Sequence, residues 1–406
     1  MYGKFSIQDS IRCLRHHQYW ERILLKQMAA LLPAIGDWPV KQAIGLHVWQ
    51  DAVHVDEMRI RLKELRAPRA DKEIHPDADR VRQSLATCPS HRTLLTAIYR
   101  IVKPALAERY RQHADSLHPV QDAPTLRLVA GIAGELDRQC DAMRELIGRS
   151  ADLPSGEADK LWLRAFGEAL PRLFDRVYGD NATEPWSWLW MFPPVSLFPS
   201  PIAVRPANFR INDRWSDERR PAEEDIVAWA HYDFKHFVQE MQAAETIASL
   251  IHEIEGMPWE FYSDLARHLW DEVRHSTMGE VRLREWGITL EALEYSVVNY
   301  AWRQRLDPVR RYTILTFVLE AGAFPVKYAR HKAHAASGDF LSAQAYLYDI
   351  TDETMHVQYG HKWVPELMAH YRMPMSKEAL IQECQSLVDS FDPAAEPSGR
   401  ANGEQP

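Results

Sequence analysis

The strongest constraint on this chain is a set of acidic side chains standing where helical periodicity puts an apolar seam. Phe234, Val238, Met241, Glu245, Ala248 and His252 recur at alternating steps of four and three, which puts Glu245 on the buried stripe of a helix. In a second helix, Leu265, His268, Glu272, His275, Gly279, Leu283 and Trp286 share one face, so Glu272 and His275 lie one turn apart and point inward. A third carries Phe317, Glu320 and Phe324, followed by the small residues Ala321, Gly322 and Ala323 around that face. The fourth repeats the Glu-x-x-His pair as Glu353 and His356, in a row with Tyr346, Asp349, Gly360, Trp363 and Leu367.

Buried carboxylates without partners cost several kcal/mol each, so four on facing seams would disrupt the helices unless something neutralises them. Two divalent cations do this, balancing Glu245, Glu272, Glu320 and Glu353 while neutral His275 and His356 supply nitrogen ligands. A carboxylate and imidazole set suits iron or manganese, singly or mixed, better than thiolate-preferring metals, and zinc stays open. Asp349 and His268 each lie one turn before a ligand glutamate; Asp349 is the better extra ligand, and His268 has a structural role as its alternative. His252 reads as a core residue, and His331, His334 and His361 as solvated or structural.

One Glu from each of two helices plus Glu-x-x-His from each of two others is the ligand plan of ferritin-like bundles. The chain thus resembles the ferritin-like di-iron carboxylate superfamily from about Ala228 to Tyr371, and Asp271-Glu272-Val273-Arg274-His275 resembles the D-E-x-R-H motif of its oxygen-activating members. Asp352-Glu353-Thr354-Met355-His356 departs from that motif, with Met355 in place of Arg. The resemblance implies two iron ions, dioxygen as co-substrate, and an outer layer in which Asp271 and Asp352 each hold the histidine of the opposite helix, beside Arg274.

The first half echoes the second. His47, Trp49, Asp51 and His54 precede His268, Trp270, Glu272 and His275 by 221 positions, as Trp38 precedes Trp259, and Thr93 to Thr96 precede Thr313 to Thr316 by 220. The offset sets Leu24 against Glu245 and Arg100 against Glu320, and Glu135 to Arg138 is the nearest counterpart of the last ligand pair, with Arg138 in the place of its histidine. The expected fold is all-α: two ferritin-like four-helix bundles in tandem, the first a degenerate, structural copy over residues 1–150 in which Arg100 neutralises buried carboxylates. Residues 151–222 form a Pro/Trp-rich connector including Trp186, Trp188, Trp190 and Phe198, residues 223–390 the metal-binding bundle, and residues 391–406 a disordered tail. Small residues, Gly279 and Gly360 among them, either open space along the seam or let helices pack closely.

Composition narrows the function classes. With 46% apolar residues and a net charge of −9, the chain can bury a large core and has no general attraction for nucleic acid. No run approaches the roughly 20 apolar residues of a membrane span, and no two of the four cysteines form a C-x-x-C pair; a cytoplasmic protein is expected, with a homodimer as the candidate assembly. The resemblance implies a non-haem di-iron oxidase or oxygenase acting on a small organic substrate by hydroxylation, N-oxygenation, desaturation or oxidative cleavage. An external electron donor is needed, since no flavin or nicotinamide fingerprint is present. Gly279, where the ribonucleotide reductase subunit resembling this plan carries a tyrosine, argues against that activity. The rival reading is a metal-stabilised scaffold that binds a partner without catalysis.

Overall fold

The computed structural model describes residues 3–70, 84–85, 87–149, 156–178, 200–211, 221–222 and 225–391. The connector aromatics from Trp186 to Phe198 and the tail from residue 392 lie outside the described residues. The described chain is helical apart from a parallel pair of two-residue strands, β1 (Arg210–Ile211) and β2 (Glu294–Tyr295). It divides into two compact units, one of residues 1–31 and 39–198, the other of residues 32–38 and 199–406.

The first unit contains α1 (Ile7–Ala34, its last turn excepted), α2 (Trp38–Glu64, Trp38 excepted), α3 (His91–Ala97), a π-helical turn π1 (Ile98–Val102), α4 (Lys103–Ser116), α5 (Ala123–Arg149) and α6 (Glu157–Tyr178). Residues 157–178 were expected in the connector, yet they form α6. Its Trp162, Phe166, Leu170 and Phe174 recur every fourth residue and are buried, a stripe that holds a helix against a core.

In the second unit, α7 (Ile226–Gln239) and α8 (Met241–Glu253) are separated by a tight turn at Glu240, with φ −63°, ψ −14° and its N–H on the carbonyl of Phe237. They are followed by α9 (Trp259–Glu285), α10 (Val298–Gln304), α11 (Pro308–Thr313), a π-helical stretch π2 (Ile314–Glu320), α12 (Ala321–Ser337), α13 (Phe340–His370) and α14 (Lys377–Asp389). Local chemistry fixes the ends. Asp225, Asp307, Asp339 and Ser376 cap helix starts through side-chain oxygens, and Gly338 stops α12 at φ +81°, a conformation glycine adopts without strain. The α9 helix packs on α7, α8 and α13, while α13 packs on α12, α11 and π2.

The glycines one turn after His275 and His356 close space. A Cβ on Gly279 would sit 2.6 Å from the backbone nitrogen of Val238 in α7, and one on Gly360 would sit 2.6 Å from Oγ1 of Thr316 in π2. Of the two roles open in sequence, close helix packing is the one observed at both positions.

Candidate metal centre

The seam residues of α9, π2 and α13, joined by Glu240, meet in two groups of four. His268, Glu272, Glu320 and His356 form one; Glu240, His275, Asp349 and Glu353 form the other; in each, one candidate ligand atom per residue lies within 4.8 Å of all the rest. Each Glu-x-x-His pair is divided between the groups, because side chains three residues apart on a helix diverge by about 60°. In the first group, His268 Nε2 lies 2.8 Å from Glu320 Oε1 and 3.4 Å from Glu272 Oε1, and His356 Nδ1 lies 3.4 Å from Glu272 Oε1. In the second, His275 Nδ1 lies 3.3 Å from Glu240 Oε2 and 3.5 Å from Asp349 Oδ1.

Behind these residues the imidazoles are held from outside. His356 turns Nε2 to Asp271 of α9 at 3.4 Å, and His275 turns Nε2 to Asp352 of α13 at 3.2 Å, so each histidine is oriented by an aspartate on the opposite helix. Arg274 donates from Nη1 to both Asp271 and Asp352, and Arg267, one turn before Asp271, donates to Asp271 from Nε at 2.8 Å. One arginine reaching both aspartates explains why the second motif can carry Met355 in the arginine's place. Burial pushes the Asp271 carboxyl up, but its bonds from His356 and Arg267 outweigh that and hold it at about 2. Burial likewise disfavours charge on His356, yet Asp271, Glu272 and Glu320 raise it to about 10 in the metal-free protein.

The expected ligands do not all arrive. Glu272, His275, Glu320, Glu353 and His356 fall in the groups, as does Asp349; His268, weighed as structural, is in the first group. Glu245 is the correction. It is buried on the seam as its spacing requires, but it forms a two-pronged ion pair with Arg205, Nη1 to Oε1 at 2.6 Å and Nη2 to Oε2 at 2.9 Å. The interruption at Glu240 ends the register that counted Glu245 into the site, and Glu240 supplies the carboxylate in its place. Lys327 was also missed, although it follows Glu320 by two turns on one face. Its Nζ lies 2.7 Å from Asp349 Oδ1 and 2.8 Å from Glu353 Oε1. His331, His334 and His361 contribute to neither group.

These residues fit metal ions by their own chemistry. Every member of both groups carries a buried polar atom without an aligned hydrogen-bond partner, among them Glu272 Oε1, Glu320 Oε2, Asp349 Oδ2, Glu353 Oε2 and the Nδ1 atoms of His275 and His356. Native interiors rarely leave such atoms unsatisfied, and convergence of so many at one place calls for a cation. A cavity of about 600 Å³ adjoins the groups, and Glu240, Glu272, Glu320, Glu353 and Lys327 form part of its wall.

The first unit brings together only Glu21, Asp51 and His54 among the described residues. Lys103 donates to both oxygens of Asp51 at 2.9 Å, and His54 Nε2 lies 3.0 Å from Glu135 Oε2. Arg100, expected to neutralise this interior, is exposed, as is Arg138; the cation on Asp51 is the buried Lys103. His47 serves structure, with Nδ1 2.8 Å from the Tyr99 hydroxyl.

Residues 200–395 are similar to a family described as "Protein of unknown function (DUF455)". That segment contains both groups of four and none of the helices of the first unit. No curated protein and no solved structure matches the chain.

Proposed function

We propose that α7 with α8, α9, π2 with α12, and α13 form a ferritin-like four-helix bundle around two iron ions, with manganese the alternative metal, and that this centre oxidises a small organic substrate with dioxygen. The observation that carries the reading is the pair of adjoining four-residue groups whose buried polar atoms lack partners. Charge supports it. The groups contain five carboxylates, Glu240, Glu272, Glu320, Asp349 and Glu353, and these are matched by the four charges of two divalent ions and the one of Lys327.

The chain's own residues have separable tasks. Bound ions of this kind would supply electrons to dioxygen. Asp271 and Asp352 orient His356 and His275 and favour their Nδ1 atoms as ligands. Arg267 helps to keep Asp271 ionised, and Arg274 donates to both aspartates. Gly279 lets α9 close on the backbone of α7, and Gly360 lets α13 close on the Thr316 side chain of π2. The cavity gives a substrate access to the carboxylate wall, where an external donor's electrons would be spent.

Metal analysis of the intact chain is the test. About two metals per chain are expected, with loss in Glu272→Ala and in His356→Ala; equal metal content in those variants would sink the reading. Oxygen uptake by anaerobically reduced, metal-loaded protein then separates the enzyme from a metal-stabilised scaffold, which would consume none.

A further inference from the structure

Arg303 in α10 is the one guanidinium in the wall of the cavity beside the metal groups, and the side chain is only 3% exposed. Buried arginines normally sit against carboxylates, as Arg205 does against Glu245. Arg303 has no such partner among the described residues. Nε and Nη2 donate to the backbone carbonyls of Asn299 and Gln242, each at 3.3 Å, and Nη1 is left with no partner while not being walled off by protein. Burial lowers its pKa to about 10, so it keeps its charge at neutral pH. A desolvated guanidinium facing a cavity is built to take an anion, and its planar fork matches a carboxylate. Away from the metal groups that wall carries the apolar Trp302, Leu315, Leu319, Val388 and Phe391, alongside the polar His236, Gln239, Gln242, Ser296 and Asn299.

We infer that the cavity binds an organic carboxylate with an apolar body, its carboxylate on Arg303 and its carbon chain or ring along Trp302, Leu315 and Phe391 toward Glu272, Glu320 and Glu353. The inference rests on the reading of this cavity as the substrate site of the proposed metal centre, and it narrows the substrate to acids. A volume of about 600 Å³ is within the usual range for small-molecule sites.

Calorimetric binding of 3-phenylpropanoate, its neutral amide and 3-phenylpropylamine to the intact, zinc-loaded protein tests this. The acid should bind tenfold to a hundredfold more tightly than the amide, and the amine should not bind measurably, as expected for a charge-assisted contact. Arg303→Met should remove the preference for the acid and leave affinity for the amide and the metal content unchanged, and Arg303→Lys should restore part of it. Equal affinity for acid and amide in the wild-type protein would overturn the inference without need of a variant. So would an acid preference that survives in Arg303→Met, which would mark direct ligation of the metal. A protein that holds no metal yet shows the Arg303-dependent preference would keep this inference and refute the metal centre.

Discussion

Glu240 and Glu245 lie five residues apart, and their removal has different consequences. Glu240→Ala takes a carboxylate from the second group and should lower the metal content from about two per chain toward one. Glu245→Gln leaves the buried Arg205 without its counter-charge and should cost about 3–5 kcal/mol of stability, measured by urea denaturation, with both metals retained. The reverse pattern would return Glu245 to the site. His356 sets a pH dependence. Its pKa is raised from 6.5 to about 10 in the folded, metal-free protein, so its charge stabilises that state fully below pH 6.5, and this contribution fades as pH rises through 10. Metal must displace that proton. Loading at pH 7 should therefore release protons, seen as a buffer-dependent heat in calorimetry, and affinity should increase with pH. A heat independent of the buffer would contradict the protonated histidine.

At the scale of elements, the close approach of α7 to α9 depends on Gly279. A Cβ there would meet backbone at Val238 and Phe234, 2.6 and 2.7 Å away, and backbone cannot move aside as a flexible side chain can. Gly279→Ala should destabilise the protein by about 1–3 kcal/mol and weaken metal retention, since α9 carries His268, Glu272 and His275; an unchanged melting temperature would remove the glycine from this role. The π-helical turns are the other element-scale device. Glu320 closes π2, which takes in Ile314 to Thr316 of the repeated Thr-x-Leu-Thr segment, while in the first half that segment, Thr93 to Thr96, ends two residues before π1 begins. Such turns insert one residue into the helical ladder and re-aim the side chains beyond it, which a strict count of three and four does not anticipate.

Across the whole chain, the two units answer the problem of buried acids differently. In the first, Lys103 sits on Asp51, and burial raises that carboxyl to about 6 despite the ammonium beside it. Lys103→Met should therefore lower the urea midpoint, by about 3–5 kcal/mol in stability, while metals per chain stay the same; loss of metal would tie the first unit to the site. Sequence by itself determined the helical class, the echo between the halves and the inward positions of Glu272, His275, Glu320, Glu353 and His356, because a 3.6-residue period fixes which face a side chain occupies. It also marked Glu245 as buried. Only tertiary structure decided what these faces meet: that Glu245 meets Arg205, that a break in the helix delivers Glu240, that Lys327 and Lys103 supply cations, and that Arg303 borders a cavity. Periodicity specifies direction within one helix, whereas partnership depends on where helices are interrupted and which distant segments pack against them.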